Sequence, residues 1–119
     1  MSRDIYQEMK DLMNSREVIY EEDRKIEVPT KVSELVSANI VKVKAGTTGY
    51  RGGDSGHGGR TVFKLTNLGG TDMRVSINGS GYFGSDEVGI AFGGDCELDT
   101  FIQSLEFALQ TLKEQIRKQ

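Results

Sequence analysis

The stretch that decides the fold class is NIVKVKA, residues 39–45. Val41, Val43 and Ala45 point one way, and Lys42 and Lys44 the other. A period of two belongs to a strand with one dry face and one wet face. The pattern returns downstream. TVFKLTNL (61–68) sets Phe63 and Leu65 on one face, DMRVSIN (72–78) alternates Met73, Val75 and Ile77 with Arg74 and Ser76, and EVGIAFG (87–93) carries Val88, Ile90 and Phe92. Glycine-bearing turns, LGGTD (68–72) and NGSGYFGSD (78–86), separate these runs. Short links between alternating strands predict an antiparallel meander.

Outward from the meander the period lengthens. Leu98, Ile102, Leu105, Leu109, Leu112 and Ile116 follow a 4-3-4-3-4 spacing, which predicts a helix over about 96–118. Asp95 follows two glycines as its N-cap, and Glu97, Asp99, Arg117 and Lys118 suit its dipole. The seam can cover the sheet and also meet a second copy of the chain. At the other end, Ile5, Met9, Leu12 and Met13 predict an amphipathic helix from residue 3 to about 20, with Ser2 as its cap. EEDRKIEV (21–28) reads as extended, Pro29 as a break, and KVSELVSAN (31–39) as a weakly patterned segment. The expectation is an α+β fold in a single domain, 1–119: one antiparallel sheet of about four to five strands, flanked by an N-terminal and a long C-terminal helix.

Bulk properties narrow the function. A chain of 119 residues with 36% hydrophobic and 28% charged residues suits one soluble globular domain. A net charge of −3 argues against a dedicated partner of long nucleic acid. No apolar run approaches a membrane span, and the N-terminus has no signal-peptide core. The single cysteine, Cys96, excludes an internal disulfide; it suits a reducing cytoplasm and is expected to be at least partly buried.

The chemistry concentrates in one segment. From Gly46 to Gly59, seven of fourteen residues are glycine, and RGGDSGHGGR (51–60) carries the only histidine. GDSG surrounds the nucleophile of chymotrypsin-like proteases, but His57 lies two residues from Ser55 with no second element to align the pair. A hydrolase using His57 with Asp54 or Asp95 is the remaining enzymatic reading. The Walker spacing is one residue off, has Arg60 for lysine, and leads into a strand. One histidine and one distant cysteine make no zinc site, and no calcium-loop pattern accompanies Asp54, Asp86 and Asp95. No catalytic set, metal site or cofactor is therefore expected.

Two readings stay open for the segment. One is a mobile hairpin connection. The other is an anion cradle, in which Gly52, Gly53 and Gly58 leave backbone N–H groups free to converge. Arg51 and Arg60 would then grip phosphate oxygens, Thr47, Thr48, Ser55 and Thr61 would donate hydroxyls, and Tyr50 would offer a face to a base. Tyr82 and Phe83 in the second glycine loop repeat that chemistry. His57 fits a loop hydrogen-bonder better than a base.

AGTTGYRGGDSGHGGRTVFKL (45–65), the meander and Gly-aromatic loop after it, and GGDCELDTFIQSLEFALQTLKEQ (93–115) resemble the Thoeris anti-defence sponge family of small phage proteins. The resemblance runs from about residue 38 onward. It implies a cytoplasmic homodimer or higher homo-oligomer that sequesters a cyclic nucleotide, such as a glyco-cyclic ADP-ribose isomer, without cleaving it. A second site for cyclic oligonucleotides is also implied. By type and setting, Phe83 would stack on adenine and Arg60 would meet phosphates, with Arg51, Thr61 and Asp95 as further contacts. The rival expectation is a phage-type inhibitor or adaptor that binds a host defence enzyme.

Overall fold

The computed structural model describes residues 15–117. In order they form β1 (Ser15–Glu21), β2 (Arg24–Val36), β3 (Ile40–Thr47), β4 (Arg60–Gly69), β5 (Arg74–Val75), β6 (Phe83–Gly84), β7 (Glu87–Gly93) and α1 (Asp95–Arg117). Five strands make one antiparallel sheet in the order β1-β2-β3-β4-β7, and β5 pairs with β6 as a small separate ribbon. The α+β class and the long C-terminal helix match the sequence reading.

Three local expectations are corrected. Residues 15–20, assigned to the N-terminal helix, are strand β1; the rest of that helix, with its Ser2 cap, lies outside the described residues. Strand wins because Val18, Ile19 and Tyr20 favour a pleated surface, and Glu17, Ile19 and Glu21 then share one face. Pro29 does not break the chain but sits inside β2. It is tolerated because the ladder to β3 starts only at Thr30 opposite Gly46, so no bond is owed by the missing N–H. DMRVSIN contributes only the two residues of β5, because the chain turns away at Asn78 (φ 54°) and Gly79 (φ 72°). The place beside β4 goes to β7, from Thr66 opposite Glu87 to Arg60 opposite Gly93.

The sheet is strongly curled. In a flat sheet β1 and β4 would lie three spacings apart, about 14 Å. Yet Glu17 of β1 accepts Lys64 Nζ of β4 at 2.7 Å and Lys44 Nζ of β3 at 3.0 Å, and Glu21 of β1 meets Arg60 of β4. These pairs cross the concave face, where Val28, Thr30, Arg60 and Val62 are buried. Gly46 permits the curl's close contact, because a Cβ there would overlap the Pro29 carbonyl.

The first turns of α1 cover the convex face at β4 and β7. Leu98 is buried, and the Phe101 ring lies 5.7 Å from Phe63 and 4.8 Å from Phe92, centroid to centroid. Beyond Phe101 the helix leaves the sheet, and Ile102, Leu105, Leu109, Leu112 and Ile116 are exposed. Cys96, expected to be at least partly buried, is exposed in the first turn, because that turn directs Leu98 and Phe101 to the sheet instead.

Candidate functional site at the glycine-loop end

Residues 48–59 join β3 to β4 and fold onto the start of α1. The ends of the segment are tied by Thr48 N to Arg60 O (2.9 Å) and Arg60 N to Thr48 Oγ1 (2.8 Å), while the Thr47 and buried Thr61 hydroxyls meet at 2.9 Å. The middle is tied to the helix start by Gly56 N to Gly93 O (2.9 Å), Gly94 N to Gly59 O (2.8 Å) and Asp95 N to Gly53 O (3.0 Å). With so many main-chain groups paired, the segment is an ordered structure and not an open linker.

Its amides do converge, as glycine content suggested, and the anion they surround belongs to the chain. The Asp95 carboxylate accepts Arg51 N at 3.0 Å, Gly52 N at 2.6 Å and Gly59 N at 3.0 Å. These bonds, Arg51's first, hold its pKa below the ordinary aspartate value. Asp95 is therefore not the N-cap of its own helix: Leu98 N bonds to Gly94 O, and the Asp95 side chain caps the loop. Gly59 is required here because a Cβ would overlap the Gly49 carbonyl.

Arg60 anchors the loop from below. Its side chain is buried. Nε and Nη2 form a fork on Glu21 at 2.7 and 3.0 Å, Nη1 donates to the Gly58 and Gly59 carbonyls, and Nη2 donates to Gly56 O. The fork, Arg60's hydrogen bond foremost, keeps the Glu21 carboxyl below its ordinary pKa. A guanidinium so engaged positions backbone; its N–H groups are already donated inside the chain.

The open cationic surface lies on the rim. Arg24, Lys25, Thr48, Arg51, Gly58 and the edge of Arg60 line a cleft of about 360 Å³, with Ile26 and Glu27 alongside. Arg24, Lys25 and Arg51 are exposed. Arg24 makes a surface ion pair with Glu21 at 3.6 Å, and Arg51 Nε is steadied by Thr48 O at 3.1 Å. The Tyr50 ring is exposed, its hydroxyl bonded to Asp99, which raises the phenol's pKa. His57 is exposed on the loop, and the Ser55 hydroxyl donates to Glu97. Among the described residues, no cluster of His, Cys, Asp and Glu is arranged to hold a metal ion.

Of the residues expected at the site, Tyr50, Arg51, Gly52, Gly53, His57, Gly58, Arg60, Thr61 and Asp95 gather at this end. Phe83 does not join them. It pairs with Val75 in the small ribbon and lies beside a separate cavity of about 750 Å³ that Val75, Ile77, Val88 and Ile90 help to line. No residue that lines this cavity also lines the cleft at the glycine-loop end. From sequence, Lys25 is not singled out and the contribution of Arg24 is left undecided, because the turn at Glu22 and Asp23 is not recognisable there as the tip of a hairpin.

No family model, curated protein or solved structure matches the chain.

Proposed function

We propose that the protein captures a small phosphorylated nucleotide at the glycine-loop end of the sheet and holds it without turnover. The observation that carries this reading is the rim cleft, where the exposed Arg24 and Arg51 line a fixed backbone. A dianion would be gripped by two guanidinium groups, with little ordering left to do because Asp95 and Arg60 already hold the loop. Tyr50 supplies an exposed aromatic face for a base. A cyclic ADP-ribose isomer, the ligand class that the resemblance implies, combines those two features. The setting is the cytoplasm, and the mode of action is sequestration of a signal. The exposed seam of α1 supports assembly of copies.

A melting scan against cyclic ADP-ribose isomers and cyclic di- and trinucleotides tests the reading. At ~100 times Kd, a true ligand adds about 2.7 kcal/mol of stability. Heating the complex should return the nucleotide intact; an altered nucleotide would make the protein an enzyme. No shift with any member of the panel would end the nucleotide reading in favour of a protein-binding inhibitor or adaptor.

A further inference from the structure

The free part of α1 carries a pattern that specifies how a second copy meets it. Exposure rises along the seam from 44% at Ile102 to 60% at Leu112 and 74% at Ile116. In heptad terms, Ile102, Leu109 and Ile116 occupy a positions and Leu98, Leu105 and Leu112 occupy d positions. The flanking e positions beyond the sheet are Glu106 and Lys113, and the g positions are Ala108 and Gln115. Parallel helices would pair g with e, and neither Ala108 nor Gln115 offers a charge. Antiparallel helices pair e with e, which can set Glu106 of each copy against Lys113 of the other.

We propose that two copies associate through α1 as an antiparallel, two-fold pair, with Leu105 packed against Ile116 and Leu109 against Leu112. This register uses only the overhang, because the last turn of one helix ends level with Ser104 of the other, clear of both sheets. The antiparallel register one heptad away is disfavoured twice. It would set Glu106 against Glu106, and it would drive Arg117 of one copy level with Glu97 of the other, where α1 already packs on the sheet and loop. The chosen seam spans about 17 Å. It rests on the self-association proposed above and adds its orientation.

Sedimentation equilibrium on the full chain tests it, with folding of each variant checked by circular dichroism. The parent should dimerise with Kd on the order of micromolar, as befits a small interface. Glu106→Lys or Lys113→Glu alone turns two attractive pairs into two repulsive ones and should raise Kd on the order of tenfold. The double exchange should restore Kd to within about threefold of the parent. A parent that stays monomeric at ~100 µM overturns both self-association and orientation, and is also the outcome if residues 1–14 cover the stripe. A dimer that ignores the single reversals, or that the exchange fails to restore, overturns the antiparallel register alone. Ligand capture at the rim cleft is read separately by the nucleotide melting scan, so its failure and the failure of this register are distinguishable.

Discussion

Replacing Arg60 with alanine probes the anchoring of the loop. The guanidinium is 3% exposed as a residue and forks onto Glu21 while meeting the Gly56, Gly58 and Gly59 carbonyls. Its removal leaves a carboxylate facing a void and those carbonyls short of a donor. Breaking a fully buried pair costs about 3–5 kcal/mol. Glu21 is 33% exposed, so water can rescue part of the loss, and about 2–4 kcal/mol is expected. For a domain of this size each kcal/mol is worth roughly 4 °C, giving a fall in Tm of about 8–16 °C. Arg60→Lys keeps the charge but not the fork, so it should fall between parent and alanine variant. A thermal melt at neutral pH, with hydrogen exchange of the amides in residues 48–59, reads both effects. A Tm within ~2 °C of the parent, with unchanged exchange, would refute the claim that Arg60 holds the loop.

Other perturbations follow the same contacts. Gly59→Ala forces a Cβ into the Gly49 carbonyl and should cost about 1–3 kcal/mol in a urea melt, with faster exchange confined to the loop. Phe101→Ala removes the ring between Phe63 and Phe92 and should cost about 2–4 kcal/mol, the half-buried end of the usual range, measured as a lower urea midpoint. Glu17, Glu21 and Asp95 all have lowered folded pKa values, caused first by Lys64, Arg60 and the Arg51 amide respectively. Their stabilisation is fully present above the ordinary values of 4.5 for glutamate and 3.8 for aspartate, and is lost as pH falls through that range to the lowered ones. Lys64 is raised by Glu17, so its share holds below the ordinary 10.5 and goes as pH rises through the raised value. Urea midpoints should therefore form a plateau between these limits; an undiminished midpoint at about pH 3 would count against the ion pairs.

Period-two alternation made β3 and β4 readable because each has one charged or polar face, and β7 because small residues, Gly89, Ala91 and Gly93, alternate with Val88, Ile90 and Phe92. Helix α1 was readable from its 4-3 spacing. Strand β1 was hidden because its inward face carries Glu17 and Glu21, charges that a local pattern assigns to solvent. Only the curl, which brings Lys44, Lys64 and Arg60 across the concave face, makes those positions sensible, and a curl is a long-range property. The same gap left Arg24 undecided and Lys25 outside the candidate site. The convergence of amides was legible from the glycines. That Asp95 fills the nest was not, since 36 residues separate Gly59 from Asp95 in sequence. Phe83 was grouped with the loop by chemistry alone; it lines a cavity of its own beside β7.

The most direct measurement is calorimetric titration of a cyclic ADP-ribose isomer into the parent and into Arg24→Ala/Arg51→Ala. Both arginines are exposed, and the Arg24–Glu21 contact is a surface pair beside the buried Arg60 fork, so the double variant should keep its Tm to within ~3 °C. Saturable binding to the parent, weakened on the order of a hundredfold or more by the loss of two charge-assisted contacts, is the predicted result. Equal affinity in parent and variant would place the ligand elsewhere and contradict the rim cleft as the capture site.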